Sequence, residues 1–221
     1  MIPPEQSAEF VYGMETVLDV YHRPWHPDFP FVCIDEMMKQ LVKETVEPIP
    51  ASPGQSERRD YTYERNGTAN LFMILDPVGG WRHVKVTERR TAIDYAHLLR
   101  DIVDVHFPEA YSIAVVQDNL NTHHPASLYK AFPPEEAHRI LKRLEFCYTP
   151  KHGSWLNMAE IELSLLSRRC LARRIPDIDT LRSEVDAWEK RRNSLSTWID
   201  WRFTTKDARI KLKRLYPLIQ D

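Results

Sequence analysis

The 221-residue sequence predicts a single α/β domain in which helices pack on a mixed β-sheet. Two runs, residues 31–36 and 113–119, are apolar on both faces, which is typical of strands in the middle of a sheet. Strand-like segments dominate the first half of the chain and helix-like segments the second. A hydrophobic content of 43% and a charged content of 28% are ordinary for a globular protein of this size.

The first half predicts an antiparallel meander of three or four strands. An amphipathic helix comes first and a proline-rich link follows it. The dipeptide Asn66-Gly67 indicates a hairpin turn between two strands, and residues 76–80 form a second turn. Residues 48–56 form a loop. The predicted elements are a helix at 5–21 and strands at 31–35, 61–64, 69–75 and 81–86.

The second half alternates helices with strands and then becomes helical. Its predicted elements are a helix at 91–107, a strand at 112–118, short helices at 125–130 and 134–141, a strand at 144–148, and helices at 156–171, 179–192 and 205–215. A meander, then a helix, a strand, a helix and a strand, then further helices, is the layout of a ribonuclease-H-like fold.

Composition argues against a membrane or secreted protein. No stretch approaches the roughly 20 apolar residues of a membrane helix, and the N-terminus lacks the basic and apolar segments of a signal peptide. Cys33, Cys147 and Cys170 form no C-x-x-C pair and are expected to be small core residues in a reducing cytosol. The prediction is therefore a cytoplasmic protein without a membrane partner.

The charge is unevenly distributed along the chain. Residues 151–221 carry 15 Lys and Arg against 10 Asp and Glu, a net charge of +5, which leaves −7 for residues 1–150. The basic part could meet a polyanion, or it could be ordinary solvated helix surface.

Three carboxylates stand where they could form a metal site. Asp35 and Asp118 end the two apolar runs, and Glu160 opens a helix-like run. Hard oxygen ligands suit Mg²⁺ or Mn²⁺, and such sites carry out phosphodiester chemistry with two ions. Each acid also has a structural explanation, as a strand end, a turn or cap, or a helix first turn. Glu36 should point to the opposite sheet face, and Glu162 lies about 200° around the helix from Glu160.

Several long segments resemble bacterial insertion-sequence transposases related to the mariner group. The segment Thr-Pro-Lys-His-Gly-Ser-Trp-Leu-Asn-Met-Ala-Glu at 149–160 is similar to the glutamate motif of that family. The resemblance extends over about residues 8 to 217. The other matching segments are residues 65–71, 81–90, 118–123 and 200–205.

The resemblance implies a ribonuclease-H-like domain whose Asp-Asp-Glu triad binds two Mg²⁺ (or Mn²⁺) ions. Carried over residue by residue, the triad is Asp35, Asp118 and Glu160, and the Asn-x-x-Glu pattern selects Glu160 over Glu162, with Asn157 in support. The implied activity is DNA cleavage and strand transfer of an insertion sequence. The implied partners are double-stranded DNA, at element ends and target, and a second copy or a full-length transposase.

Residues near the triad could contact DNA, and each also has an ordinary explanation. Lys151 and His152 precede the glutamate helix and could reach the scissile phosphate, or lie in a plain loop. Trp155 could stack on an unpaired base or fill the core. Asn119 and His123 could hydrogen-bond a metal ligand or the phosphate. Arginine forks suit phosphates, although solvated surface is the alternative. The arginine candidates are Arg168, Arg169, Arg173 and Arg174, with Arg89 and Arg90 as a second group.

The sequence departs from the family at its N-terminus. Such transposases usually begin with about a hundred residues of helix-turn-helix modules, and the chain as given lacks them. The expected division is a connector helix and linker at 1–29, a ribonuclease-H-like catalytic domain at 30–175, and a helical C-terminal extension at 176–221. Met37-Met38 stands where small polar residues are expected. An idle remnant that binds DNA or protein, and a stand-alone nuclease, remain alternatives.

Overall fold

A five-stranded mixed sheet forms the centre of the computed structural model, which describes residues 5–56, 58, 60–120 and 122–217. The strands are β1 (Phe31–Glu44), β2 (Tyr63–Asp76), β3 (Trp81–Thr87), β4 (Ile113–Gln117) and β5 (Leu144–Tyr148). Their order in the sheet is β3-β2-β1-β4-β5. This arrangement confirms the predicted α/β class and the mixed sheet.

The predicted antiparallel meander is formed by β1, β2 and β3. The hairpin turn expected at Asn66-Gly67 is wrong, because both residues lie inside the single long strand β2. Pairing passes from Gln40 opposite Thr68 to Val42 opposite Arg65, so two residues of β2 face one of β1. Gly67 has a φ of 86°, a left-handed conformation that glycine adopts without steric cost. The Asn-Gly pair therefore makes a β-bulge instead of a turn.

The first strand is also longer than predicted. It was expected to end at Asp35 but continues through Glu44, and its second half is only partly buried. The apolar run marks only the segment that pairs with β4, from Phe31 to Cys33. Beyond that segment β1 pairs with β2 but no longer with β4. It is then no longer a central strand, and the continuous run of buried apolar residues ends.

Helices cover both faces of the sheet. On one face α2, α3 and α4 pack on Val32, Ile34, Phe72 and Ile74, and on the other α1, α5, α6 and α7 share a core with Cys33, Leu71, Met73 and Val116. The alternation of neighbouring strand residues between the two cores follows from the β period of two. The helices are α1 (Ala8–Tyr21), α2 (Ala92–Asp101), α3 (Leu128–Ala131), α4 (Pro134–Leu141), α5 (Ala159–Arg169), α6 (Ile178–Ser194) and α7 (Thr205–Lys211).

Most predicted helices occur, with changes at their ends. The first begins at Ala8, where the Ser7 side chain accepts a hydrogen bond from the Phe10 amide as an N-cap. Helix α5 begins at Ala159 after a 3₁₀ turn, and α2 continues as a π-helical turn from Ile102 to His106.

The expected C-terminal extension is joined to the sheet by a buried arginine. Arg82 on β3 is completely buried and donates to the carbonyl oxygens of Gly80, Arg192 and Thr197. Asn193 closes the junction by exchanging hydrogen bonds with the Arg82 backbone. Residues 1–4 and 218–221 of the expected divisions lie outside the described residues. Within the described part of the chain, no helix is long and apolar enough to cross a membrane.

Candidate active site

Strand register brings the two candidate aspartates to the same level of the sheet. Cys33 on β1 pairs in parallel with Val116 on β4. Asp35 and Asp118 each come two residues later, so the strand period predicts the same row for both. Asp118 follows the end of β4, and its carboxylate reaches toward His123 and Glu36. Asp35 lies inside β1 instead of at its end, and Asp118 directly follows β4. Both therefore stand where the parallel pairing of β1 and β4 stops.

Helix α5 lies over this face and carries Glu160 as its second residue. Leu163 and Leu166 of α5 belong to the same hydrophobic core as Cys33 and Val116. This packing directs the N-terminal end of α5 toward the row of the two aspartates. Glu160 itself is exposed, in an open cavity of about 350 Å³ that Asn157 and Arg168 also line.

Asn157 fixes the start of α5 to β1. Its side chain is 3% exposed, and its Nδ2 donates to the Ile34 carbonyl oxygen at 2.8 Å. Its Oδ1 accepts from the Ala159 amide at 3.1 Å. One side chain thus joins the residue before Asp35 to the residue before Glu160. A second buried tie is the Tyr21 hydroxyl, which donates to the Leu156 carbonyl oxygen at 2.5 Å.

The electrostatics of Asp35 show that the carboxylates act on one another. Burial raises the pKa of Asp35 to about 7, and the negative charges of Glu36, Glu160 and Asp118 add to the rise. The Glu36 amide opposes it by donating to Asp35 Oδ1 at 2.8 Å. Like charges raise an acid's pKa only when they are close. The negative charges of the other two candidate ligands, Asp118 and Glu160, therefore act on Asp35.

His123 holds Asp118 from behind. Its Nδ1 lies 2.5 Å from Asp118 Oδ1, and its Nε2 lies 2.8 Å from a carboxylate oxygen of Glu36. Burial alone would lower the pKa of His123, but hydrogen bonds and charge from the two carboxylates raise it to about 9. Burial likewise would raise the pKa of Asp118, but the His123 hydrogen bond and charge lower it. The two carboxylates therefore favour the imidazolium form of His123.

Glu36 occupies the opposite face of β1 from Asp35, as its position in the strand predicts. Its side chain is almost completely buried, and Arg90 Nη1 contacts its other oxygen at 2.9 Å. Glu36, Asp118 and His123 offer ligand atoms that all lie within 4.8 Å of one another, a geometry that could hold a metal ion. Because both ring nitrogens of His123 already face carboxylates, a protonated imidazole fits this cluster better than an ion does.

The predicted triad has the donor chemistry for a divalent cation, but among the described residues its oxygens do not all lie within 4.8 Å of one another. Asp35, Asp118 and Glu160 supply only oxygen donors, which Mg²⁺ and Mn²⁺ prefer. Burial raises the pKa of Asp35 and its three acidic neighbours add to the rise, so a cation near Asp35 would relieve the repulsion. These three residues could hold the metal that the sequence predicts.

Glu162 serves a structural purpose. It is completely buried, its Oε1 lies 2.8 Å from Arg192 Nη2, and its Oε2 lies 3.6 Å from Arg82 Nε. The contact with Arg192 ties α5 to α6, and the contact with Arg82 ties α5 to β3. The two glutamates of α5 are therefore separated as the helical period predicts, with Glu162 toward the core and Glu160 toward solvent.

The residues predicted to contact DNA fall into different surroundings. Lys151 and His152 are exposed and line a cavity of about 380 Å³ beside α1, which Asn119 also lines. His152 has a φ of 67°, an uncommon left-handed conformation for a residue other than glycine. Trp155 is half-buried and packs edge-on against Phe203, with ring centroids 5.9 Å apart, so most of its ring fills the core.

The predicted arginines differ in how far they are engaged. Arg174 is held by Glu44, by the carbonyl oxygens of residues 60–62 and by the ring of Tyr63. Arg173 pairs with Glu184. Arg168 donates to the Ser164 carbonyl oxygen and lines the cavity of Glu160. Arg169 is exposed.

Sequence reasoning missed the Glu36–His123–Arg90 group and the burial of Arg82. Glu36 was weighed only as a rival metal ligand, and His123 only as a support for a ligand. The sequence held a signal for the pairing of Glu36 with His123. Glu36 lies two residues after Ile34 and therefore on the same face of β1, the face that meets α2. No local pattern marks Arg82 as buried, because its partners lie about 110 residues further along the chain.

Three solved structures to which the chain is similar are mariner complexes. The Mos1 mariner paired-end complex with Mn has a TM-score of 0.57 at 18% identity, covering 90% of this chain and 60% of that one. The Mos1 strand transfer complex has a TM-score of 0.59 at 16% identity, covering 90% and 59%. The paired-end complex with Mg has a TM-score of 0.59 at 15% identity, covering 99% and 66%. The chain spans about 60% of the length of the first two.

This likeness confirms the ribonuclease-H-like fold that the sequence predicts. No curated protein matches the chain significantly in sequence. The family model of the DDE superfamily endonucleases matches residues 30–182, more than two thirds of the chain and all five strands. The chain belongs to the DDE superfamily endonuclease family.

Proposed function

We propose that the chain is the catalytic domain of a DNA transposase, which cleaves and joins DNA strands with Mg²⁺ or Mn²⁺. The observation that carries the proposal is the Asn157 connection between β1 and α5. It ties the start of the helix that carries Glu160 to the strand that carries Asp35. Burial raises the pKa of Asp35 to about 7, and the charges of Glu36, Glu160 and Asp118 add to the rise. Three carboxylates carried by β1, the end of β4 and the start of α5 have the chemistry that two-metal phosphodiester cleavage needs.

In this proposal the protein contributes placement and charge. Asp35, Asp118 and Glu160 would hold two divalent ions. When bound, such ions supply activation of the attacking water or 3′-hydroxyl and stabilisation of the leaving oxygen. His123 fixes the orientation of the Asp118 carboxylate through its 2.5 Å contact. Asn157 fixes the position of the helix that carries Glu160.

The surfaces beside the site are suited to the phosphates of the substrate. Lys151 and His152 are exposed next to Asn119, the residue that follows Asp118. Arg168 lies in the cavity of Glu160 on the other side. We assign these side chains to the backbone of the cleaved strand, because cationic side chains and phosphates form charge-assisted hydrogen bonds.

The proposed partner is double-stranded DNA, at element ends and at a target. The similar solved structures are paired-end and strand transfer complexes of Mos1, two of them with Mn or Mg. By analogy, two copies of this chain, or this chain with a full-length transposase, would pair two DNA ends. We also propose that residues 30–175 form the catalytic unit, preceded by a connector and followed by a helical extension.

A cleavage assay tests the proposal. A labelled duplex carrying a terminal repeat of the element is incubated with the chain in Mg²⁺, in Mn²⁺ and in EDTA. Cleavage is expected in Mg²⁺ and in Mn²⁺ but not in EDTA. It is expected to disappear in Asp118→Asn, which removes one of the negative charges that hold the ions. Glu109→Gln, an exposed carboxylate near the opposite end of β4, is the matched control.

The products separate the alternatives. Nicking together with joining to a second duplex supports a transposase, and cleavage without joining supports a stand-alone nuclease. Binding without cleavage under any metal supports an idle remnant. Equal cutting by the wild type and by Asp118→Asn would contradict the triad.

A further inference from the structure

A groove between α5 and α6 lies apart from the candidate active site. Two adjoining cavities of about 470 and 480 Å³ open along these helices. Arg169, Trp188 and Arg191 line both of them, and we call the surface around these three residues the arginine groove. Arg169 lies about 14 Å along α5 from Glu160 and about 180° around the helix. The groove therefore faces away from the cavity that Glu160 lines.

The charge of the arginine groove is not balanced within the protein. In the part of the chain that the structure describes, Arg169 and Arg191 have no ion-pair or side-chain hydrogen-bond partner. Arg173 also lines the groove, beside the one acidic side chain there, Glu184, with which it pairs. Two guanidinium groups thus stand free at one cleft, which attracts a polyanion.

An aromatic ring lines the same two cavities as the free arginines. Trp188 is half-buried, packs against the core on one side, and faces both cavities on the other. Arginines around an aromatic surface are the pattern by which proteins hold a nucleic-acid backbone and stack a base or a sugar. A groove that bound an acidic protein surface instead of a nucleic acid would not need an aromatic ring.

We infer that the arginine groove binds the phosphate backbone of a second DNA segment, distinct from the strand held at Asp35, Asp118 and Glu160. DNA as the ligand rests on the proposed function. A reaction that joins two DNA molecules needs surfaces for both, and this groove is separated from the catalytic residues by the width of α5. Contacts of this kind carry affinity without sequence preference.

The test is a salt titration of duplex binding in EDTA, measured by fluorescence anisotropy on two unrelated duplexes. The variant is Arg169→Ala/Arg191→Ala, two exposed residues whose loss leaves the core intact. If each contacts one phosphate, the log-log salt slope should fall by about 1.8, and affinity near 0.1 M salt should fall about eightfold for each contact. Both duplexes should be affected alike. Arg169→Lys/Arg191→Lys should recover most of the slope, since it keeps the charge.

The control is Lys130→Ala/Lys142→Ala, which removes two exposed charges from the helices on the other face of the sheet. An equal fall in slope in this control would show general electrostatics and overturn the groove. An unchanged slope in the groove variant would overturn it too. A groove variant that binds DNA normally but changes oligomeric state by light scattering would assign the surface to a second copy. Because binding is measured without metal, these results do not depend on cleavage, which is scored separately in Mg²⁺.

Discussion

Two glutamates two residues apart on α5 should give opposite phenotypes when each is changed to glutamine. Glu162 is completely buried with Arg82, whose side chain is also inaccessible, and with Arg192 at 2.8 Å. Glu162→Gln keeps the shape but leaves the buried Arg82 charge uncompensated. Breaking a buried ion pair by removing one partner costs about 3–5 kcal/mol. We expect the free energy of unfolding to fall by about 3 kcal/mol or more, with the cleavage rate of the folded fraction nearly retained.

Glu160→Gln should leave stability within about 0.5 kcal/mol, because the residue is exposed. Cleavage should fall by at least about 100-fold, since even the outer partners of metal ligands typically cost 10- to 100-fold. Urea unfolding and Mg²⁺-dependent cleavage are measured on both variants. A stable, inactive Glu162→Gln beside an unstable, active Glu160→Gln would refute the assignment of Glu160 to the site.

Three further outcomes are expected. Asn157→Ala should lower the free energy of unfolding by about 2–4 kcal/mol, because it leaves the buried Ile34 carbonyl oxygen and the Ala159 amide unpaired; a change below about 0.5 kcal/mol in urea would contradict this. Gly67→Ala should cost about 1–2 kcal/mol through its φ of 86°, and an unchanged urea midpoint would argue against the bulge. Without metal, the Asp35 contribution to stability should fall as pH rises from about 4 to 7, because burial raises its folded-state pKa to about 7, whereas His106, whose pKa burial lowers to about 4, contributes in the opposite direction over this range. Asp35→Asn should remove the first contribution, so the stability of the variant should rise with pH relative to the wild type, and an unchanged difference would exclude this cause.

Much of the fold follows from local patterns. The strand at 144–148 and the turn at 76–80 were predicted where they occur, because an apolar run and the Asp-Pro-Val-Gly-Gly sequence depend on few distant contacts. Asn66-Gly67 was misinterpreted because the same left-handed glycine serves a turn or a bulge. The choice is made by the partner strand, where Gln40 reaches the Gly67 carbonyl oxygen.

The candidate site could be predicted in part. Asp35, Asp118 and Glu160 were chosen from buried runs and motif resemblance, and the register of β1 and β4 sets the two aspartates side by side. The mutual influence of the carboxylates depends on how α5 docks, which no local pattern encodes. The Asn157 link is a contact between residues 123 positions apart.

The sequence predicts a cluster of arginines but not the partner of each one. Arg168, Arg169, Arg173 and Arg174 are equivalent in the sequence, but the structure gives them different partners. Arg174 is committed to Glu44 and the loop at 60–62, whereas Arg169 is left facing a cleft. Which guanidinium remains available for a phosphate is decided by tertiary neighbours such as Glu184.

The proposed function requires that Asp35, Asp118 and Glu160 hold the catalytic metal. Electron paramagnetic resonance of Mn²⁺ measures it directly, as the number of ions bound per chain during a titration. The wild type and Glu109→Gln should bind about two ions, and Asp35→Asn should bind fewer and more weakly. His123→Ala should weaken binding only moderately, because it supports Asp118 without being a ligand. Unchanged binding by Asp35→Asn, with binding abolished in His123→Ala, would instead place the ion among Glu36, Asp118 and His123 and contradict the account.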